Sequence, residues 1–258
     1  MVSAILQIIF IKLMLRLYHV LLGALVVSVL TPLGLIQALS KFSVNRKSVQ
    51  PPVVQASAAN SQPTQGNIWK TILGKTSAPS GWSVSPCEGT APLLCISSQE
   101  KVLGTVEMGV YALDKLPNFQ KMLLQAGIPE NSKIDYQEEK NQNQVTSALK
   151  LWTSDQYSIL AKDRQGEYGN KITFSSQSPQ TVQVGPLKGV YYGFAGLKKQ
   201  GGSHEEHRGF VAFDGKTLYV ITTSFDTAST TGKFENLENF RNFEPHLPVI
   251  VQGVNLIK

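Results

Sequence analysis

Four consecutive residues, His204-Glu205-Glu206-His207, form the one cluster in this sequence whose side chains could hold a divalent metal, since imidazole and carboxylate both ligate zinc or manganese. The spacing differs from His-Glu-x-x-His, where two histidines four apart share a helical face and the intervening Glu acts as base. Here they are three apart, so a metalloprotease is not expected. Gly201-Gly202-Ser203 precedes the cluster and Arg208 follows it, which predicts a solvated loop leading into a hairpin. The candidate metal set is therefore His204, Glu205, Glu206 and His207, and a hydrolase or metal-dependent enzyme using this loop is one functional reading.

Cys87 and Cys95 are the only cysteines, and they flank the turn-rich run Glu88-Gly89-Thr90-Ala91-Pro92 between two short extended segments. In an exported protein two nearby cysteines are expected to pair, here as a staple across a hairpin. A seven-residue spacer is not the two-residue spacing of zinc knuckles or thioredoxin-type centres, and no second cysteine pair completes a four-ligand site.

Other reaction signatures are missing. Gly185, Gly189, Gly193 and Gly196 lie in apparent strands and turns and lead into no helix, so they read as turn or bulge glycines and not as a phosphate cradle. There is no Gly-x-Ser-x-Gly elbow. Tyr191, Tyr192 and Phe194, with Phe210 and Phe213, read as core and cross-strand pairs. The sequence does not reveal which cofactor, if any, the chain uses.

The elements that would position these residues follow from periodicity. Extended pieces are expected at Ser83–Pro86 and Leu93–Ser97, then a strand over Leu103–Tyr111. Leu113, Leu116, Phe119, Leu123 and Ala126 recur at helical steps, and Gly127 with Pro129 supplies a stop. Residues 130–144 are polar and read as loop. The stretch 145–161 admits a helix through Val145, Leu149, Trp152 and Leu160, or two strands over Leu149–Thr153 and Gln156–Ala161, with the balance toward strands. Further strands are expected at Ile172–Phe174, Thr181–Val184 and Gly189–Phe194. Asp214-Gly215 between the apolar runs Gly209–Phe213 and Lys216–Phe225 marks a tight hairpin. Adjacent apolar residues in each arm predict a sheet covered on both faces. Phe234, Leu237, Phe240 and Phe243 step by three and predict a second helix. The expected fold class is α+β: a sheet of about five to seven mainly antiparallel strands with helices on both faces, preceded by an N-terminal apolar helix.

That apolar segment, Leu17–Leu39, carries no charge and is long enough to cross a hydrocarbon core at about 1.5 Å per residue. It reads either as a signal peptide, with Lys12 and Arg16 as n-region and Ala38-Leu39-Ser40 as cleavage site, or as an uncleaved anchor. Met14 would begin a more conventional signal. Lys41, Arg46 and Lys47 blur the charge asymmetry that sets orientation. Residues 41–66, with Pro51-Pro52 and Ser61-Gln62-Pro63, have no apolar period and read as a flexible tether. The division is thus 1–40 signal peptide or transmembrane anchor, 41–66 linker, and 67–258 one globular domain.

The net charge of +6 suggests nucleic acid until it is located. Five basic residues fall in the first 47 positions, which hold no Asp or Glu, and the remaining basic residues nearly balance the 18 acidic ones. Basic residues flanking an apolar helix meet lipid headgroups, whereas nucleic-acid binding needs a basic face on the folded domain. No nucleic-acid partner is expected.

Taken in order, Gly81-Trp82 and the two strands, the helix at 114–126, Val182-Gln183-Val184-Gly185 to Tyr191-Tyr192-Gly193-Phe194, the Asp214-Gly215 hairpin and the helix from Phe234 resemble the PsbP-like family over roughly residues 80–245. That family is named for an extrinsic subunit of photosystem II. The resemblance implies an antiparallel sheet sandwiched between helices, exported to a lumen or periplasm. It also implies a non-catalytic protein docking on a larger membrane-associated assembly. The Cys87/Cys95 hairpin and the apolar tail Leu247–Ile257 do not map onto the family, and no family functional residue matches by motif. The leading expectation is an exported or membrane-tethered accessory protein acting by contact with a membrane-associated complex, held to the membrane through residues 17–39. A carrier of an apolar small molecule is the other rival to the enzyme.

Overall fold

A computed structural model describes residues 66–130, 135, 136 and 138–256. The described residues all fall within one unit of the chain, Val49–Lys258. The expected apolar segment at 17–39 and most of the tether at 41–66 lie outside them. No helix among the described residues is long and apolar enough to cross a membrane.

The described chain is α+β, as expected. It begins with a one-turn helix, α1 (Trp69–Ile72), then β1 (Trp82–Pro86), β2 (Leu93–Ser98) and β3 (Lys101–Ala112). Two helices follow, α2 (Pro117–Gln125) and α3 (Glu139–Tyr168). The remaining strands are β4 (Ile172–Ser176), β5 (Gln180–Val184), β6 (Leu187–Lys198), β7 (Ser203–Phe213), β8 (Thr217–Phe225) and β9 (Lys233–Phe234), and the chain closes with α4 (Leu237–Phe243) and α5 (Leu247–Gln252). The nine strands form one sheet in the order β1-β2-β3-β9-β8-β7-β6-β4, with β5 also pairing β6. Only the β8–β9 pair is parallel among them. Nine strands exceed the expected five to seven because β1 and β2 join the same sheet and a two-residue strand, β9, fills in between β3 and β8.

Both faces of the sheet are covered, as the doubly apolar strands require. On one face Phe210, Ala212, Tyr219 and Ile221 pack with residues of α1, α4 and α5. On the other, Val211, Phe213, Leu218 and Val220 pack against α2 and α3. The period-2 alternation of β7 and β8 thus feeds two cores. Gly209 keeps one close approach open: a Cβ there would lie 2.1 Å from the ring of Tyr192, its cross-strand partner. The β7–β8 turn is closed by Asp214, whose Oδ1 accepts from the N–H groups of Lys216 and Thr217, both at 2.8 Å, and by Gly215 at φ +104°.

Three expectations are corrected. Residues 139–168 form one 30-residue helix, not a loop followed by two strands. Its buried stripe, Val145, Ala148, Leu149 and Trp152, has helical spacing, but Leu151 and Ile159 outside that stripe gave the sequence a strand-like density of apolar residues. Phe234 belongs to β9, and the helix begins only at Leu237, where the Asn236 side chain caps it by accepting from the N–H groups of Glu238 and Asn239. Finally, His204-Glu205-Glu206-His207 is not a solvated loop but the start of β7, with both glutamates buried.

Candidate functional site

The strand conformation of β7 decides what its polar residues can do. Successive side chains from Glu205 onward point to opposite faces, while His204 falls at the register shift between β6 and β7, so the four predicted metal-ligating residues separate. Glu205 and His207 face α3, Glu206 faces α4, and the His204 ring lies 4.6 Å from that of Tyr168 at the end of α3. The set predicted from the sequence does not converge on one point.

Two of its members converge with a residue the sequence did not flag. Donor atoms of Glu205, His207 and Asp226 lie within 4.8 Å of one another. Asp226 comes from the residue just after β8, on the same face. Both carboxylates of this group are bonded to Arg164 of α3. Its Nε donates to Glu205 Oε2 at 3.1 Å and its Nη2 to Asp226 Oδ2 at 2.8 Å. Arg164 and Glu205 are each 1% exposed and Asp226 2%, whereas His207 is 16% exposed, with Nε2 3.1 Å from the same Glu205 oxygen. A divalent cation on these three residues would compete with a guanidinium already bonded to both carboxylates. The arrangement is a buried ion-pair network that ties the end of α3 to β7 and β8.

The electrostatics agree with that role. Burial pushes the Asp226 carboxyl up, but His207, the Ala228 N–H, the Ser229 hydroxyl and Arg164 together hold it below the usual Asp value. Burial opposes the charge of Arg164, yet Glu205 and Asp226 raise its pKa above the ordinary arginine value. Glu205 Oε1 is buried and has no hydrogen-bond partner among the described residues.

On the opposite face, Glu206 accepts from Arg241 and Ser203, and Arg208 bonds to Glu244 and Glu206 while lying 5.6 Å from the centroid of the Phe240 ring. Burial pushes Glu206 up, but the bonds from Arg241 and Ser203 outweigh it and lower its pKa. This second network anchors α4 to the sheet. The sequence carried a faint signal for the first: Arg164 stands four residues beyond Leu160 on the stripe that includes Val145, Leu149 and Trp152. Asp226, placed immediately after an apolar strand, had none.

Cys87 and Cys95 are bonded, as expected, and no cysteine is free. The turn they close receives the start of the domain. The Asn67 side-chain amide donates to the carbonyls of Cys87 at 3.0 Å and Leu93 at 2.6 Å, and its Oδ1 accepts from the Trp69 N–H at 3.1 Å. The Trp69 indole donates to the Pro92 carbonyl at 3.0 Å, and its side chain is fully buried.

A cleft of about 350 Å³ opens where β5, β6 and β7 meet the segment 244–252. Val182, Tyr191, Phe210, Pro245, Leu247 and Pro248 supply its apolar surface. The Tyr191 and Phe210 rings are 5.0 Å apart across β6 and β7, so the expected aromatic cross-strand pair is present and forms the floor.

No family model matches the sequence, and no curated protein shows significant similarity to it. Among solved structures the chain is similar to the solution structure of cyanobacterial PsbP (CyanoP) from Synechocystis sp. PCC 6803, at 8% identity over 70% of this chain and 85% of that one, with a TM-score of 0.35. It is also similar to the crystal structure of LpqN, involved in cell envelope biogenesis of Mycobacterium tuberculosis, at 10% identity over 71% of this chain and 83% of that one, with a TM-score of 0.31. At these TM-scores the likenesses carry no functional information.

Proposed function

We propose that this chain is an exported or membrane-tethered accessory protein without catalytic activity, and that it acts by docking on a membrane-associated protein complex. The observation that carries the reading is the attachment of the chain's entry point. Asn67 and Trp69, immediately after the predicted tether, are fixed by four hydrogen bonds, three of them to the turn closed by the Cys87–Cys95 bond. These bonds fix the first residues of the domain on its disulfide-closed turn, so in this reading the predicted tether ends at a defined point on the folded surface. The disulfide fits an oxidising, extracytoplasmic compartment, and residues 17–39 supply the membrane contact in this reading. The bonding of Arg164 to both carboxylates of the Glu205–His207–Asp226 group argues against the hydrolase.

The test is affinity isolation of the full chain from detergent-solubilised membranes of its source, with cross-linking and mass spectrometry. A stoichiometric membrane-protein partner is expected, with cross-links confined to the folded domain. Recovery of the chain alone, turning over a substrate, overturns the reading. The apolar cleft favours the carrier as the second reading, and recovery of the chain alone with a co-purifying apolar molecule would select it.

A further inference from the structure

The strand β5 lies at an edge of the sheet. It pairs with β6 alone, in the register Gln180↔Tyr191, Val182↔Gly189 and Val184↔Leu187. The hairpin turns through two residues, Gly185 at φ +53° and Pro186. A two-residue turn makes its flanking pair hydrogen-bonded, and the alternation of an antiparallel ladder then points the N–H and C=O groups of Val184, Val182 and Gln180 toward β6. Thr181 and Gln183 consequently direct theirs outward, and among the described residues no backbone group meets them. An edge of this kind is usually guarded by charge, above all lysine. The run Gln180-Thr181-Val182-Gln183-Val184 carries none.

Both sides of this edge are hollow. On the α4–α5 face lies the apolar cleft floored by Tyr191 and Phe210. On the α3 face lies a second depression, of about 530 Å³, lined by Glu139, Gln142, Thr181, Pro186 and Lys188. Val182 and Gln183 border both. A strand added beside β5 would drop alternate side chains into an apolar and a polar hollow, as the period of two demands. The polar side offers one carboxylate, Glu139, and one ammonium, Lys188, so it favours neither sign of charge; its complement is a neutral polar residue.

Resting on the docking function above, we propose that β5 is the docking edge, and that its partner is an extended peptide segment of about five residues, alternating apolar with uncharged polar side chains, which adds to the sheet as a further strand. Main-chain bonds to Thr181 and Gln183 hold it, and the cleft between Tyr191 and Pro248 selects its apolar residues.

The probe is the fluorescein-labelled peptide Lys-Thr-Val-Thr-Phe-Thr-Val-Thr-Lys-amide, titrated by anisotropy against the full chain in detergent micelles. Saturable binding is expected, with slowed amide exchange across residues 180–184. A peptide of the same composition with its apolar residues in one block should bind about tenfold or more weakly, as should one N-methylated along the edge that meets β5. Thr181→Pro removes only an outward donor and should weaken binding to the same degree while thermal stability is kept. No saturable binding, or binding indifferent to N-methylation, overturns the proposal whether or not the variant folds. A chain that dimerises through β5 and ignores the peptide also overturns it, in favour of a second copy as occupant. If Thr181→Pro abolishes peptide binding but the membrane partner is still captured, β5 is not the docking edge and the docking function stands. If the peptide binds through β5 and no membrane partner is captured, the edge stands and the function fails.

Discussion

Arg164 Nη2 lies 2.8 Å from Asp226 Oδ2, joining residues 62 positions apart through side chains that are both excluded from solvent. Asp226 has further partners in the Ala228 N–H and the Ser229 hydroxyl, each at 2.8 Å. Glu205, the other buried carboxylate on Arg164, instead has one oxygen with no hydrogen-bond partner among the described residues. The two anions are therefore not equivalent.

That inequality predicts an asymmetry among substitutions. Arg164→Ala leaves two buried carboxylates without their cation and should cost about 3–5 kcal/mol. Glu205→Gln leaves Arg164 matched by Asp226 and relieves an unsatisfied charge, so it should cost less than about 1 kcal/mol or stabilise. Urea unfolding of the two variants distinguishes the outcomes. Equal destabilisation would mean that Glu205 matters to the network as much as Arg164 does.

Acid should undo both networks. Asp226 and Glu206 are held below their ordinary values in the folded chain, so their stabilising contribution is complete above the unfolded values of ~3.9 and ~4.3. It is lost as pH falls through the lower folded values. The urea midpoint should vary little on account of these two groups above about pH 5 and decline below about pH 4. Asp226→Asn should be less stable at neutral pH and show a shallower acid decline.

Opening the disulfide should act locally as well as globally. Cys87 and Cys95 are separated by 8 positions, and closing so short a loop is worth about 2–3 kcal/mol. Three of the four Asn67 and Trp69 bonds end on the turn it closes. In a Cys87→Ser, Cys95→Ser double variant, amide exchange at residues 67–73 should accelerate more than in the β7–β8 hairpin, and Trp69 fluorescence should shift toward that of an exposed indole. Uniform acceleration would separate the turn from the entry segment.

Gly209→Ala should be among the costliest single methyl additions in the sheet, because the new Cβ would lie 2.1 Å from the Tyr192 ring. Overpacking of this kind costs typically about 1–3 kcal/mol. Replacing Tyr192 with Leu in the same chain should recover part of the loss, since the obstructing ring is gone. Thermal melts of the single and double variants measure the recovery, and strictly additive losses would contradict it.

Much of the sheet was legible because its signals are local. Asp214-Gly215 specifies a turn from two residues, and the paired apolar arms around it require cover on both faces. Cys87 and Cys95 revealed their pairing through proximity in sequence. The long helix was less legible because Leu151 and Ile159 blur its apolar stripe, and because Arg164 at the end of that stripe becomes core only when Glu205 and Asp226 arrive from 41 and 62 positions away.

The sequence by itself determined the α+β class, the hairpins, the covered sheet and the disulfide, each the product of side-chain period or turn chemistry among near neighbours. Only the tertiary structure decided the meaning of the His204–His207 run. A cluster of ligand-type residues is one site in a loop or a helix, but in a strand its members part to opposite faces. Once they had parted, which of them met a cation, and which cation, depended on helices folded from distant stretches of the chain.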